Sequence, residues 1–246
     1  MRHFLKNTAD SLLRPLGLEL RRAEDLHRSH PFAVQAQLTK KVNPTVFDVG
    51  AHVGNVCETY RRMFPGGIIH GFEPFPESYR ALHARFADDP AVKLNELAVS
   101  NFEGPVKLHV NSTTVTNSLL SSDPEGSRSW GSGLLETQEM IQVASTTIDS
   151  YCQSNGIDSI DILKLDIQGS ELRALEGAQC LLRSGRIAVV YLEVLFAPTY
   201  LNQPPCEDYL RFFRSFGYRL VDLYNLARLR KRLMQADALF VRAAEW

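Results

Sequence analysis

The sequence predicts an α/β fold in which a mostly parallel β-sheet carries helices on both faces. From Pro44 onwards, short apolar runs alternate with stretches of helical periodicity. The apolar runs are rich in Val, Ile and Leu, as expected of strands that are buried on both faces. A length of 246 residues with 44% hydrophobic side chains is sufficient for one such domain with a full core.

The first part of the chain predicts strand–helix units. The predicted strands cover residues 45–49, 67–72 and 92–97, and the predicted helices cover residues 53–63 and 77–87. A further strand, over residues 106–110, follows the turn residues Glu103-Gly104-Pro105 and is predicted to pair in a hairpin. The stretch 111–139 is rich in Ser, Thr and Gly with little periodicity, and long loops of this kind are usually functional.

The second part of the chain continues the alternation. Predicted strands cover residues 141–147, 160–165, 187–195, 218–223 and 238–242, and predicted helices cover residues 148–154, 170–182 and 207–216. The last two strands are predicted to add an antiparallel edge to the sheet. Residues 1–40 are predicted to form a separate helical segment, either docked on the domain or bound to a membrane surface or partner. The predicted domain then covers residues 41–246.

The composition excludes several functional classes. Lys and Arg total 27 against 28 Asp and Glu, so a formal charge of -1 provides no field that would attract nucleic acid. No apolar run approaches the roughly 20 residues that span a bilayer, and the N-terminus lacks the apolar core of a secretory signal. We therefore expect a cytoplasmic protein with no integral membrane association. The four Cys and seven His residues show no metal-ligand spacing, so no metal site is expected.

The loop after the first predicted strand gives the clearest signal for a ligand. Its sequence, Asp48-Val49-Gly50-Ala51-His52-Val53-Gly54-Asn55, lies where parallel sheets bind ligands. Gly50 and Gly54 allow close backbone approach, and the small Ala51 keeps the turn open. The G-x-x-x-G spacing differs from the G-x-G-x-x-G of dinucleotide-binding proteins, and Asp48 would repel a pyrophosphate. Asp48 instead suits a ligand with a cationic amino group, such as S-adenosylmethionine.

An acid also ends the second predicted strand, in the run Gly71-Phe72-Glu73-Pro74. A carboxylate at this position can accept hydrogen bonds from both hydroxyls of an adenosine ribose. NAD enzymes use the same arrangement, so Glu73 alone does not distinguish the two cofactors. The loop and the acid together predict an adenosyl cofactor.

Four motifs, in this order along the chain, resemble those of the FkbM family of methyltransferases. Residues 48–54 (DVGAHVG) resemble the family's D-V-G-A-x-x-G, residues 72–74 its F-E-P, and residues 98–104 (AVSNFEG) its A-[LV]-S-[DN]-x-x-G. Residues 163–178 contain LKLDIQGSE and then LEGA, which resemble L-K-[IL]-D-[VI]-E-G-x-E and L-x-G-A. Gln168 stands where the family usually has Glu, and Asn101 where Asp is common, so Gln168 is assigned no proton-transfer role.

The resemblance implies a class I methyltransferase (Rossmann-like) fold, with a seven-stranded, mostly parallel sheet, one antiparallel strand and helices on both faces. It implies transfer of a methyl group from S-adenosylmethionine to an acceptor hydroxyl of a small molecule, glycan or secondary metabolite. The predicted cofactor-binding residues are Asp48, Gly50, Ala51, Gly54, Asn55, Glu73, Pro74, Ala98, Val99 and Asn101. The resemblance further implies that residues 98–101 flank the adenine of the cofactor, with Val99 packed on its face.

Three acids are the predicted catalytic residues. Asp166 ends the central predicted strand and is a candidate general base or acceptor-orienting group, although it can equally cap the next helix. Glu171 lies in the first turn of that helix, where the helix dipole favours an acid in any case. Glu193 lies in an apolar run, where an unpaired acid is costly, so it is predicted to share a cleft with Asp166 or to form an ion pair.

The predicted acceptor-binding residues are Asn117, Ser118 and His109, with an inert loop and a solvent-facing histidine as the alternatives. Two other functions stay open from the sequence. An NAD-linked oxidoreductase would use a similar sheet, although the chain lacks G-x-G-x-x-G. A catalytically silent module that binds an adenosyl ligand or a partner would keep the same residues. The sequence does not predict the acceptor, the metal dependence or the oligomeric state.

Overall fold

The computed structural model describes residues 30–131 and 133–243, in which strands and helices alternate. In chain order the strands are β1 (Thr45–Val49), β2 (Ile68–Phe72), β3 (Val92–Asn95), β4 (Ala98–Val99), β5 (Gly104–Asn111), β6 (Thr137–Thr146), β7 (Ile160–Leu165), β8 (Ile187–Leu195), β9 (Tyr218–Leu229) and β10 (Arg232–Arg242). In chain order the helices are α1 (Pro31–Thr39), α2 (Asn55–Met63), α3 (Pro76–Arg85), α4 (Pro124–Trp130), α5 (Ile148–Ser154), α6 (Glu171–Glu176), α7 (Gln179–Arg183) and α8 (Cys206–Ser215).

A seven-stranded sheet forms the centre of the domain, in the order β3-β2-β1-β7-β8-β10-β9. The pairs from β3 to β8 are parallel, whereas β10 runs antiparallel to both β8 and β9. The prediction of a mostly parallel sheet with one antiparallel strand is therefore confirmed.

Helices cover both faces of this sheet. On one face, Val46, Ile69 and Ile162 pack with Tyr60 of α2 and Leu82 of α3. On the opposite face, side chains from β1, β7, β8 and β10 pack with α5, α6, α7 and α8 in the largest apolar cluster. None of the described helices is long and apolar enough to cross a membrane. The three-layer arrangement is the one expected when a parallel sheet must be buried on both sides.

Helix α1 docks on the same face of the sheet as α2 and α3. The Phe32 ring lies edge-on to Tyr60, with ring centroids 5.2 Å apart. The Tyr60 hydroxyl donates to Oε1 of the buried Gln35 over 2.7 Å. Residues 1–29 lie outside the described part of the chain, so α1 is the part of the predicted N-terminal segment that the structure shows. The boundary at residue 40 stays a prediction.

A second, three-stranded sheet has the order β4-β6-β5. The predicted strand at 106–110 lies in β5, but its antiparallel partner is β6, and residues 112–136 rather than a tight turn connect the two strands. The intervening stretch folds as a short 3-10 turn at Thr114–Thr116 and helix α4. The hairpin expectation is thus corrected, because the loop that joins the two strands is long.

The prediction of one helix over residues 170–182 is also corrected, because this stretch forms two short helices, α6 and α7. The Gly177 N–H bonds to the carbonyl oxygens of Arg173 and Ala174, which closes the last turn of α6. A Cβ on Gly177 would lie 2.2 Å from the Ser100 carbonyl oxygen. The glycine therefore allows the turn between the two helices to touch the end of β4.

The strand order reverses next to β1, which has β2 on one side and β7 on the other. Val49 is paired with both Phe72 and Leu165, and Leu165 is paired with Leu192. These registers bring the carboxyl ends of four strands to one edge of the sheet. Ligands of open α/β sheets bind at such a reversal point.

Candidate active site

A cavity of about 450 Å³ opens at this edge of the sheet. Its volume lies within the range of small-molecule and cofactor sites, roughly 300–1,000 Å³. The predicted site residues that line it are Gly50, Ala51, Asn55, Glu73, Pro74, Ala98, Val99, Asn117, Ser118, Asp166 and Glu193. The structure therefore brings together most of the predicted residues from six separate parts of the chain.

The loop after β1 is held tightly against the neighbouring strands. The N–H groups of Gly50 and Ala51 both donate to the Phe72 carbonyl oxygen, over 3.0 and 2.9 Å. Gly50 has a φ of +77°, and a Cβ there would lie 1.9 Å from the Asp166 carbonyl oxygen. The glycine is thus required both by the backbone conformation and by contact with the end of β7.

Gly54 and Asn55 turn the chain into α2. Gly54 has a φ of +89°, and its N–H bonds to the Ala51 carbonyl oxygen over 2.8 Å. A Cβ on Gly54 would lie 2.6 Å from the Phe86 ring, so Gly54 packs toward α3 and does not line the cavity. The Asn55 Oδ1 accepts a hydrogen bond from Arg85 over 2.7 Å.

Asp48 lies below the cavity floor and does not line it. It is fully buried, and its Oδ1 lies 2.9 Å from Nζ of the buried Lys164. The same ammonium donates to the Gly50 carbonyl oxygen over 3.1 Å and lies 3.8 Å from Asp166 Oδ2. Burial lowers the pKa of Lys164, but the neighbouring carboxylates outweigh it and raise the pKa overall. The predicted attraction of Asp48 for a cationic ligand is therefore offset by an internal cation.

Glu73 is a buried acid at the end of β2. Its Oε2 accepts the His52 N–H over 2.8 Å, and its Oε1 accepts the Phe75 N–H over 2.9 Å. Burial raises the pKa of Glu73, and the two backbone donors oppose that shift. The carboxylate is consequently fixed at the cavity wall between two loops.

Ala98 and Val99 form part of the apolar wall beside Glu73, together with Leu97. Asn101 lies outside this wall, because it follows β4 and its Nδ2 donates to the exposed Glu176 over 2.8 Å. An adenine ring beside Val99 stays a prediction that this apolar surface suits.

Asp166 and Glu193 are joined by the side-chain amide of Gln168. Its Nε2 donates to Asp166 Oδ1 over 3.0 Å and to Glu193 Oε2 over 2.9 Å. Its Oε1 accepts from the Tyr200 hydroxyl over 3.0 Å. The Asp166 side chain is 44% exposed, whereas the Glu193 residue is only 7% exposed. Burial raises the pKa of Glu193 well above its ordinary value, and the nearby Asp166 carboxylate raises it further.

Glu171 lies behind the cavity wall rather than in it. Its Oε1 accepts the N–H groups of Ile167 and Gly169 over 2.9 and 3.3 Å, and its Oε2 accepts from the Tyr209 hydroxyl over 3.2 Å. The residue is 1% exposed. These contacts hold the turn that carries Gln168, so the geometry gives Glu171 no direct contact with a ligand.

The pKa of Glu171 is raised to about 7 by burial, with Asp166 adding to the shift, so this group couples folding to pH. Its folded pKa exceeds the unfolded value, so its contribution to stability is present below about pH 4.5 and is lost as pH rises to about 7. We expect Glu171→Gln to remove this loss. Relative to wild type, the variant should gain up to about 3 kcal/mol in unfolding free energy between pH 5 and pH 8.

Urea unfolding of both proteins at the two pH values measures this difference. The buried His70, whose pKa burial lowers to about 4, acts in the opposite sense but is common to both proteins and cancels. Parallel pH dependences for the variant and wild type would show that Glu171 does not carry the coupling.

A covering segment, residues 112–131 and 133–135, closes one side of the cavity. The His52 ring lies 2.9 Å from the Thr114 hydroxyl, which joins the first loop to this segment. The Tyr200 hydroxyl, which carries one proton, lies within hydrogen-bond distance of both Gln168 Oε1 and the Thr116 carbonyl oxygen, at 3.0 and 2.9 Å. Trp130 Nε1 donates to the Thr199 hydroxyl over 2.8 Å. The segment also contributes apolar side chains to the lining, namely Val115, Leu119, Trp130, Leu134 and Leu135.

Of the three predicted acceptor-binding residues, two lie in this segment. Ser118 Oγ donates to the Gln168 carbonyl oxygen over 2.7 Å and accepts the Leu120 N–H, so it ties the segment to β7. Asn117 Oδ1 accepts the Asn111 N–H, and its buried Nδ2 has no partner within the described residues. His109 lies outside the lining, with its Nε2 3.3 Å from the Ser121 hydroxyl. Of these three residues, Asn117 is therefore the one whose side-chain N–H donor is left for an acceptor.

Comparison with known protein families identifies the family to which this chain belongs. A family model described as the Methyltransferase FkbM domain matches residues 48–220. The chain belongs to the FkbM methyltransferase family. The match begins at Asp48, near the end of β1, and includes the carboxyl ends of β1, β2, β7 and β8.

Relatives of this FkbM-family chain include named O-methyltransferases. It is 25% identical over 185 residues to the 2-O-methyltransferase NoeI of Sinorhizobium fredii, across 73% of this chain and 74% of NoeI. It is 28% identical over 153 residues to the 31-O-demethyl-FK506 methyltransferase FkbM of Streptomyces tacrolimicus, across 54% of this chain and 59% of the relative.

A solved structure supports the fold. The methyltransferase FkbM from Methylobacillus flagellatus superposes with a TM-score of 0.52 at 16% identity, covering 81% of this chain. The superposition covers 44% of that structure, so this chain spans less than half of its length.

The FkbM-like motif around β7 contains two residues whose contacts the sequence analysis missed. Lys164 and Gln168 both lie in the LKLDIQGSE motif, and the motif by itself predicts no contact for either side chain. A lysine inside a buried strand is a signal for a buried partner, because an unpaired ammonium is costly there. The third missed residue, Tyr200, lies in an irregular segment, and no sequence signal indicated that it would reach Gln168.

Proposed function

We propose that this FkbM-family methyltransferase uses S-adenosylmethionine to methylate a hydroxyl group of an uncharged small molecule or glycan. The observation that carries the proposal is the meeting of Gly50, Glu73, Asp166 and Glu193 in one cavity. Such a reaction needs a loop whose backbone can approach the cofactor closely, an acid that can bind the ribose, and further acids that can act on the acceptor.

The residues present fit an adenosyl cofactor. Both Glu73 oxygens accept a backbone N–H, but a carboxylate has about four acceptor positions, so two are left for the ribose hydroxyls. Ala98 and Val99 offer an apolar surface for the adenine, and Gly50 and Ala51 offer bare backbone for the methionine end. When bound, the cofactor supplies a methyl group activated by its sulfonium.

The charges of the cavity favour an uncharged acceptor. Glu73, Asp166 and Glu193 line it, and the lining cation, Lys164, is already held by Asp48. No arginine is among the described residues of the lining. An acceptor that carries phosphate, sulfate or carboxylate would therefore face repulsion without compensation. The apolar side chains of the covering segment suit the uncharged part of an acceptor.

The relatives support the choice of a hydroxyl acceptor. NoeI is named as a 2-O-methyltransferase, and the Streptomyces relative is named for O-methylation of 31-O-demethyl-FK506. In this chain, removal of the hydroxyl proton is assigned to Asp166 or Glu193, because both are acids that line the cavity.

Calorimetric titration with S-adenosylhomocysteine, with NAD in parallel, tests the proposed function. We expect micromolar binding of the first ligand alone. Glu73→Ala should raise its Kd more than tenfold, because the variant loses the ribose contacts and leaves two loop N–H groups without an acceptor. The matched control is Glu77→Ala, an exposed acid in the first turn of α3, whose Kd should stay at the wild-type value.

The alternatives give different outcomes in the same titration. Binding of NAD alone would support an oxidoreductase and overturn the proposal. Binding of neither ligand by a folded sample would leave the chain as a non-catalytic module. An unchanged Kd for Glu73→Ala would remove Glu73 from the ribose site.

A further inference from the structure

We propose that Gln168 is a positioning residue for methyl transfer, whose amide holds the Asp166 and Glu193 carboxylates at one spacing and joins them to the covering segment. The inference rests on the proposed function, because it assigns Asp166 and Glu193 to the reaction centre. Gln168 itself is not proposed to transfer a proton.

Every polar atom of the Gln168 side chain is used. The two Nε2 donors reach Asp166 Oδ1 and Glu193 Oε2, and Oε1 accepts from Tyr200. A flipped amide would direct its carbonyl oxygen at both carboxylates, which have no proton to donate when ionised. The contacts therefore specify a single amide orientation, and through it the separation of the two acids.

The backbone of Gln168 is fixed as strongly as its side chain. Its φ is +55°, in the left-handed region that a residue with a side chain rarely adopts. Its carbonyl oxygen accepts from Ser118 Oγ over 2.7 Å, and Glu171 holds the N–H groups on either side, at Ile167 and Gly169. The turn can keep this conformation because its surroundings determine it on both sides.

Gln168 also connects the acids to the covering segment by two routes. The Ser118 hydroxyl binds its carbonyl oxygen directly. The Tyr200 hydroxyl lies 3.0 Å from its Oε1 and 2.9 Å from the Thr116 carbonyl oxygen. Displacement of the covering segment would thus change the contacts of the amide that orients Asp166 and Glu193.

The uncharged amide of Gln168 reduces the repulsion between the Asp166 and Glu193 carboxylates. Two carboxylates that face one cavity repel each other, and amide N–H groups between them compensate that repulsion. Glu at position 168, as is usual in the family, would bring a third carboxyl group and no donor when ionised. Gln168 therefore favours the ionised form of Glu193 in this chain.

Carboxyl ¹³C NMR of the full chain, labelled at Asp and Glu and titrated with acid and base, tests this inference without an acceptor. The Glu193 signal is assigned by its loss in Glu193→Gln. We expect its titration midpoint to move up by at least one pH unit in Gln168→Glu and by a smaller amount in Gln168→Met, which removes the donors without adding charge. Gln153→Glu, the same change at an exposed position in α5, should leave the midpoint in place.

A Glu193 midpoint that stays within 0.3 pH unit of wild type in both Gln168 variants would overturn the inference. Gln168→Met carries the test alone if Gln168→Glu does not fold.

The rate of methyl transfer provides the second readout. The acid limb of the kcat–pH profile should move with the NMR midpoint of Glu193, while the Kd of S-adenosylhomocysteine stays within threefold of wild type. A limb that does not move with the midpoint also overturns the inference. Failure of wild type to bind S-adenosylhomocysteine would overturn the proposed function, and is distinguishable because the NMR titration needs no cofactor.

Discussion

Gly50→Ala is expected to destabilise the domain severely and to abolish binding of S-adenosylhomocysteine. The added Cβ would lie 1.9 Å from the Asp166 carbonyl oxygen and 2.9 Å from its carbonyl carbon. Both are backbone atoms, so no side-chain rotation relieves the clash. The φ of +77° adds the cost of a left-handed conformation, about 1–2 kcal/mol for alanine.

The neighbouring strand cannot move away cheaply. The Asp166 N–H donates to the Val49 carbonyl oxygen over 3.0 Å, and Val49 is paired with Leu165 and Phe72 at the same level. A shift of the end of β7 would break these bonds at the centre of the sheet. We therefore expect the loop after β1 to be displaced instead, which would remove Gly50 and Ala51 from the cavity wall.

Gly217→Ala is the matched control for this prediction. Gly217 has the same φ of +77°, and nothing lies within 4 Å of the position that its Cβ would take. It should show the backbone cost alone, about 1–2 kcal/mol, whereas Gly50→Ala should lose more than about 4 kcal/mol in urea unfolding. Equal losses in the two variants would mean that the loop relaxes away from β7 without penalty.

The buried strands of the fold were predictable because their sequences carry one unambiguous signal. β1, β7 and β8 have the predicted bounds, since each is a mainly apolar stretch that is buried on both faces. β10 begins before the predicted 238–242, in a stretch where polar residues alternate with the buried Met234 and Ala236 and interrupt the apolar run. β9 extends beyond the predicted 218–223, and its distal arm is mostly exposed and contains Asn and Arg without apolar periodicity. Exposure removed the pattern on which the prediction depended.

The meeting of the acids was predictable for a geometric reason. Glu73 and Asp166 directly follow parallel strands, and Glu193 lies near the carboxyl end of β8; parallel strands align these ends at one edge. The pairing of Asp48 with Lys164 and the contacts of Gln168 were not predictable. They depend on which way side chains point across neighbouring strands, and residue spacing along the chain does not determine this.

Asp166→Asn and Glu193→Gln are each expected to lower kcat by about 100-fold or more, the usual effect of losing a general acid–base group. Both side chains line the cavity and share the Gln168 amide. Neither residue belongs to the proposed cofactor-binding groups, which are Glu73 and the loop after β1. The Kd of S-adenosylhomocysteine should therefore stay within about threefold of wild type. Turnover is followed as S-adenosylhomocysteine formation with an acceptor found by screening neutral alcohols and sugars.

The exposed Asp158 provides the control, because Asp158→Asn makes the same chemical change outside the cavity. It should leave both kcat and Kd unchanged. Wild-type turnover in Asp166→Asn would exclude Asp166 from the reaction centre, and the same result in Glu193→Gln would exclude Glu193.

The pH profile separates the contributions of the two acids. Burial and the Asp166 charge raise the pKa of Glu193, so a base at Glu193 loses activity on the acid side at a higher pH than an ordinary glutamate would. Removal of the Asp166 charge should therefore lower this pKa and move the acid limb of kcat to lower pH. Glu193→Gln should remove the limb from the residual activity. A limb that persists in Glu193→Gln and disappears in Asp166→Asn would instead make Asp166 the base, with Glu193 orienting the acceptor.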